Sequence, residues 1–321
     1  MKISILNTIG SAFSDKAMIV IEKMGDVDYF DLDNQKQLEK VIKKYDIAII
    51  GLGLNYDKRV IDAGKRLKII ATASTGTDHV DVEYAKKKGI KVLSLKDDRE
   101  FLDTVTGTAE LAFLLMLALM RNLLPATKSA LNYCWTEKFR GHNLYQKKLG
   151  IVGLGRLGTM MAKYGKAFGM EVMACDPYQN QKNFSTIGCK KVSFERLLKL
   201  SDIISIHVHL NEETIGMFNK EAFGLMKNSA IIVNTSRGKI VDEKDILLAL
   251  REKKIAGYGT DVLADELTFN DKFENNELIE YAKMNDNVII TPHVGGVTFE
   301  SREATDIFIA NKVKKELNKS K

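Results

Sequence analysis

Cysteine, proline and tryptophan are scarce in these 321 residues, at three, three and one copies. Cys134, Cys175 and Cys189 contain no C-x-x-C pair and make no even set, so no disulfide framework underlies the fold. Such usage fits a reducing compartment, and a cytoplasmic location is expected. Long hydrophobic runs are missing too. The most apolar segment, LAFLLMLALM, lies between Glu110 and Arg121 and falls well short of the ~20 residues of a membrane span. It reads as a buried or interface helix, and no membrane partner is expected. The opening MKISILNTIG has no long apolar region before a cleavage signature and reads as a first strand. Nor is charge of one sign concentrated: 48 basic residues face 42 acidic ones for a net +6, and no long basic block stands out. No nucleic-acid partner is expected. The five histidines are dispersed without ligand-like spacing, so no metal is expected.

What the chain has in quantity is alternation. Its length exceeds one ordinary core, and apolar residues at 45% suffice to fill two. The β-rich runs KISIL, VDYF, IAIIG, LKIIATAS and KVLSL are separated by helix-like segments such as DKAMIVIEKMG and VEYAKKKG. This order predicts a parallel sheet with helices on its faces. One long helix is predicted from Thr106 to Leu124, ended by Pro125. The alternation then restarts with LGIVGL, EVMACD, DIISIHV, AIIVNTS, IAGYGTD and NVIITP. The expected architecture is α/β: two Rossmann-like or flavodoxin-like doubly wound parallel-sheet domains with an intervening cleft. The sheet patterns place one domain at residues 1–99 plus 293–321 and the other at 100–292. The last helix returns to the first domain.

Gly153, Gly155 and Gly158 form G-x-G-x-x-G directly after the strand LGIV and at the start of a helix carrying MMAKYGKAFGM. In that context the first glycine permits a tight turn, the second lets the backbone approach a pyrophosphate, and the third allows close helix–strand packing. A glycine-rich turn alone also suits plain packing. The next strand, however, ends in Asp176, 18 residues after Gly158, where an acid that holds ribose hydroxyls is expected. A carboxylate there repels a 2′-phosphate, and neither Pro177 nor Tyr178 is basic, so NAD is favoured over NADP.

Three later strand ends carry polar residues: Arg237 in IIVNTSRGKIVDE, Asp261 and Glu266 in AGYGTDVLADEL, and His293 in VIITPHVGG. In an open parallel sheet the carboxyl ends of strands border the ligand site. Singly, these read as a surface charge, a helix-cap carboxylate and a turn histidine; together they form a group.

Here the chain resembles the D-isomer-specific 2-hydroxyacid dehydrogenase family over nearly its whole length. The resemblance rests on W-x-x-x-F-x-G at Trp135, Phe139 and Gly141, then LGIVGLGRLG, NTSRG, DVLADE and PHVGGVTFESR, in that order. It implies that Arg237, Glu266 and His293 are catalytic and that Asp261 lies near the nicotinamide. It also implies cofactor contacts from Arg156, Leu157, His207, Thr214 and Thr235 beside the glycines and Asp176. ATASTGTDHVD looks like the family's substrate-carboxylate loop, with Ser74, Thr75 and Gly76, and with Arg237, at the acid; His79 and Asp81 read as structural. Residues 1–99 plus 293–321 then form the substrate domain and 100–292 the NAD-binding Rossmann domain. The chain departs from the family in HVHLNEET, where His209 and Asn211 replace the usual proline and threonine. His209 reads as a wall residue rather than a second catalytic histidine.

Reduction of a 2-oxo acid needs a cation for the carboxylate and ketone, a proton donor, and a hydride source. Arg237 offers the planar fork of donors, His293 the proton, and Glu266 the carboxylate that favours the imidazolium. The expected activity is therefore NAD-dependent interconversion of a small 2-oxo acid and D-2-hydroxy acid, of the hydroxypyruvate/glyoxylate reductase or phosphoglycerate dehydrogenase type. The alternative is an NAD-sensing corepressor-like protein with little turnover. An S-adenosylmethionine enzyme with the same turn would leave the Arg237, Glu266 and His293 group without a role. A homodimer is expected through ELAFLLMLALMRNLL, whose apolar residues occupy most helix faces.

Overall fold

The structure, a computed structural model, describes residues 2–32, 34–266 and 275–319. Two compact units emerge. One holds the chain up to Val105 and from Val297 onward; the other holds Thr106–Glu266 and the residues leading to Gly296. They part a few residues later than Arg99 and His293. The helix Arg99–Leu102 sinks Leu102 into the first core, and His293–Gly295 is hydrogen-bonded to Asp261 of the second unit.

In the first unit, β1 (Ile3–Asn7), β2 (Gly25–Tyr29), β3 (Ile47–Ile50), β4 (Ile69–Thr72) and β5 (Lys91–Leu93) form a parallel sheet of order β2-β1-β3-β4-β5. That is the flavodoxin-like order, with its switch point between β1 and β3. Successive residues face opposite sides, so Ile47 and Ile49 enter one core cluster while Ala48 and Ile50 enter the other. Both faces are apolar because both are covered. The helix Phe299–Lys319 buries Thr305, Ile309, Ala310 and Val313 and packs against Asp15–Glu22, β4 and β5. On it Asp306, fully buried, accepts from Ser14 N at 3.0 Å and Arg302 Nε at 3.1 Å, and burial pushes its carboxyl up to about 6.

In the second unit, β6 (Lys148–Val152), β7 (Glu171–Cys175), β8 (Lys190–Lys191), β9 (Ile203–Ile206), β10 (Ile231–Asn234), β11 (Gly257–Thr260) and β12 (Val288–Ile290) are all parallel. Their order is β12-β11-β10-β9-β6-β7-β8. This is the Rossmann order extended by one strand, and the switch point falls between β6 and β9. The two-residue β8, with exposed lysines, had no apolar signal in the sequence.

The long helix differs from its expectation. It runs Gly107–Met120, after which Asn122 turns left-handed at φ 47°, and a second helix covers Leu123–Leu131. Pro125 sits in the first turn of that second helix, where its missing N–H costs nothing, so it starts a helix instead of ending one. Taken as one stretch, residues 99–120 are long and apolar enough to cross a membrane by length and composition. The chain nevertheless breaks between Leu102 and Gly107, and Gly107–Met120 lies on β10, β11 and the helix Arg156–Ala167. It buries Ala109, Ala112, Leu115, Met116 and Met120, each large side chain there being worth ~1.5–3 kcal/mol of burial.

Candidate active site

The glycine turn joins β6 to the helix Arg156–Ala167. Gly153 is left-handed at φ 91°, and a Cβ there would meet the His207 carbonyl oxygen at 2.5 Å. A Cβ on Gly158 would meet the Gly153 oxygen at 2.1 Å, so helix and turn touch through bare backbone. At Gly155, the N-cap, nothing among the described residues lies within 4 Å of the Cβ position. Two glycines thus serve packing, and one faces open space at a helix N-terminus. Asp176 locks this turn to the end of β7: its Oδ2 accepts from Leu154 N at 2.8 Å and its Oδ1 from Tyr178 N at 2.9 Å.

The catalytic candidates stand at the ends of β10, β11 and β12. Arg237 follows β10 in a turn stapled by the buried Asn234, whose Oδ1 accepts from Ser236 N at 3.0 Å and whose Nδ2 donates to the Arg237 carbonyl at 3.0 Å. Arg237 Nη1 donates to Ser236 O at 2.7 Å. Glu266 Oε1 lies 2.7 Å from His293 Nδ1, while Oε2 accepts from Leu263 N at 3.0 Å. His293 is itself left-handed at φ 54°, a conformation that costs ~1–3 kcal/mol and needs bracing. Asp261 supplies the brace. Its carboxylate accepts from Thr291 Oγ1 at 2.5 Å, Val294 N at 2.9 Å and Gly295 N at 2.7 Å, and its carbonyl accepts from His293 N at 2.9 Å. Asp261 is 1% exposed, so its carboxylate is engaged by the histidine loop.

The sequence of this unit settles the kinship. Residues 113–295 match the family described as D-isomer specific 2-hydroxyacid dehydrogenase, NAD binding domain. The chain belongs to this family. A D-3-phosphoglycerate dehydrogenase of Methanocaldococcus jannaschii is 36% identical over 305 residues, covering 94% of this chain but only 56% of that protein. The chain thus spans little more than half the length of that relative. A glyoxylate reductase of Pyrococcus furiosus is 36% identical over 288 residues, 87% of this chain and 81% of its own length. Among solved structures, D-lactate dehydrogenase of Aquifex aeolicus, complexed with NAD and lactic acid, matches with a TM-score of 0.87 at 28% identity. That match covers 98% of this chain and 95% of the other. The corepressor-like alternative finds no support among these relatives, which are named for dehydrogenase and reductase activities.

The family's cofactor fits the residues present. His207 Nδ1 and Thr235 Oγ1, at the ends of β9 and β10, are buried without a hydrogen-bond partner among the described residues, as expected of groups awaiting a polar ligand. Ser205 Oγ lies 2.8 Å from His207 Nε2, and burial pushes the imidazole down to about 4, so it is neutral at pH 7. The loop that departs from the family is well made. Asn211 Oδ1 accepts from Glu213 N at 2.9 Å and Thr214 N at 3.0 Å, and Thr214 Oγ1 donates to His209 O at 2.6 Å. Asn211 therefore closes the turn itself. His209 is exposed. Tyr178 donates its hydroxyl to Glu213, bridging the loops after β7 and β9.

In the first unit, Ser74 Oγ donates to Gly76 O at 2.6 Å and pairs with Thr72 Oγ1 at 2.9 Å. The loop is preformed, and the N–H groups of Thr75 and Gly76 donate to no protein group among the described residues.

Glu243 was not legible as a site residue. Its Oε1 accepts from Ala264 N at 2.6 Å and its Oε2 from Asn276 Nδ2 at 3.2 Å, clamping the segment that leads to Glu266. No local signal marks it, because its partners lie 21 and 33 residues away. Asp261→Ala is expected to leave three donors of the histidine loop unsatisfied and to lower stability by about 3 kcal/mol or more. Urea unfolding measures this, and a loss below about 1 kcal/mol would show that the loop holds without the carboxylate.

Proposed function

We propose that this chain is an NAD-dependent oxidoreductase that interconverts a small 2-oxo acid and the D-2-hydroxy acid. The reading is carried by the His293–Glu266 pair at 2.7 Å, built into the same unit as the glycine turn and Asp176. Gly153, Gly155, Arg156, Leu157 and Gly158 would hold the pyrophosphate side, Asp176 the ribose hydroxyls, and His207, Thr214 and Thr235 the remaining polar edges. When bound, the nicotinamide supplies the redox step at C2 of the acid. Arg237 holds the carboxylate and polarises the ketone through its planar donors. With Nδ1 turned to Glu266, His293 exchanges protons through Nε2: to the emerging alkoxide in reduction, from the hydroxyl in oxidation. Glu266 keeps the ring oriented and fixes its tautomer. Asp261, proposed from the resemblance as a nicotinamide-side residue, acts in this reading by setting the histidine loop. Ser74, Thr75 and Gly76 offer backbone N–H groups to the acid. Hydroxypyruvate and glyoxylate are the preferred substrates, with phosphoglycerate-type acids second, and NADH consumption over a panel of 2-oxo acids tests the reading directly. No consumption with any member would overturn it.

A homodimer in the cytoplasm completes the proposal, with one change from the sequence expectation. Gly107–Met120 spends most of its apolar surface on the core, whereas Leu131, Tyr133 and Trp135 are 76%, 99% and 94% exposed. The interface is therefore assigned to Leu123–Leu131 and the segment after it.

NADH should outperform NADPH in kcat/KM, because the Asp176 carboxylate at the end of β7 would repel a 2′-phosphate. Equal use of both would remove Asp176 from that role. Glu266→Gln should lower kcat for 2-oxo acid reduction by about tenfold or more and leave NADH affinity in place, because the imidazole loses the carboxylate that orients it. An unmoved kcat would break the assigned pairing, and His293→Ala should lower both directions by about 10²–10⁴. Trp135 is the sole tryptophan, so dilution should red-shift its emission as a dimer dissociates. A monomer by sedimentation at working concentration would refute the interface.

A further inference from the structure

The first unit carries a groove that the proposed reaction does not use. It lies between the helix Phe299–Lys319, from Ala304 onward, and the edge strand β5, and its lining residues belong to that unit. Its volume is about 670 Å³, a size that suits a small organic ligand. The helix makes it possible by having two working faces. Thr305, Ile309, Ala310 and Val313 enter the core, while Ala304, Phe308, Asn311 and Lys315 recur every three or four residues along the groove.

The floor is apolar and flat. Phe101 and Phe308 stack with ring centroids 4.0 Å apart and planes within 14°, beside Leu93 and Ile307. The rim is cationic: Lys91, Lys312, Lys315 and Lys319 outnumber Asp98 and Glu316. Both acids are engaged. Asp98 pairs with Lys312, and Glu316 with Lys91 at 2.5 Å and Lys319 at 3.6 Å. The Lys315 ammonium makes no hydrogen bond or ion pair among the described residues. The wall also reaches the substrate loop. Lys312 Nζ donates to Ser94 O at 2.8 Å, and the next residue, Leu95, donates its N–H to Ser74 O at 2.9 Å.

We propose that this groove binds a small amphipathic organic anion, a carboxylate or phosphate on an aromatic or branched apolar body, and that its occupancy alters the Ser74–Gly76 loop. The apolar body lies against the phenylalanine pair, and the anionic head meets Lys315 on the rim. An inorganic anion alone leaves the apolar floor wet, and a neutral hydrocarbon leaves the excess positive charge unmet. Binding stands on the groove itself; the coupling rests on the substrate reading of Ser74–Gly76.

Naphthalene-2-carboxylate is the probe, titrated calorimetrically onto the full chain with saturating NADH present to keep it out of a dinucleotide site. The expected Kd is about 1 mM or tighter, and about tenfold weaker for Lys315→Glu and for the neutral naphthalene-2-methanol. Lys315→Glu should keep the parent Tm and NADH affinity. The probe should shift KM for the 2-oxo acid about twofold in the parent chain and not in Lys315→Glu. Equal binding by the parent and Lys315→Glu, or of acid and alcohol, overturns the site. Binding with an unmoved KM overturns the coupling. Probe binding that responds to Lys315→Glu in a protein without turnover supports the site and counts against the dehydrogenase reading.

Discussion

A carboxylate removed from water must find its donors in the protein, and Asp261 finds them in the loop that carries His293. An ionised group this deeply buried is tolerated only when its lone pairs are occupied. Thr291, Val294 and Gly295 occupy them. Because these donors lie on both sides of His293, the residue between them is held in a left-handed conformation it would not keep by itself. That conformation brings Nδ1 within 2.7 Å of Glu266 Oε1, so the loop and the carboxylate together set the orientation of the ring. The same logic extends one layer further. Glu243 satisfies Ala264 N and Asn276 Nδ2, so the segment presenting Glu266 is braced from behind by another, half-buried acid.

The dinucleotide side is arranged differently, through bare backbone instead of buried charge. Gly153 and Gly158 are glycines because carbonyl oxygens stand where their side chains would be. Gly155 is different, with open space in front of it and a helix N-terminus behind. Asp176 connects the two halves of this region. Its carboxylate holds the turn through Leu154 N and the end of β7 through Tyr178 N while remaining partly exposed. Asn211 shows how the loop after β9 tolerates its departure from the family: an asparagine closes the turn with its own side chain.

Chain order and apolar periodicity determined much of this protein. The alternation of β-rich and helical segments specified two parallel sheets, since strands buried on both faces must read as continuous apolar runs such as IAIIG and AIIVNTS. The spacing from Gly158 to Asp176 and the polar strand ends at Arg237, Glu266 and His293 pointed to residues that stand at the carboxyl ends of their strands, because in a doubly wound sheet those ends come to one edge whatever the intervening helices. Local signals failed where two structures share one composition. Pro125 ends one helix or opens the next, and only the left-handed Asn122 decides between them. The apolar helix Gly107–Met120 suits an interface or a core, and only its packing on β10 and β11 shows which of its side chains the core takes, Leu114 staying exposed. The tertiary structure alone decided that Asp261 braces the histidine loop, that Glu243 supports Glu266, and that Phe101 and Phe308 stack beneath a lysine rim. In each case the partners lie about 20 residues or more apart in sequence, and a carboxylate or a ring carries no local mark of which distant group will satisfy or cover it.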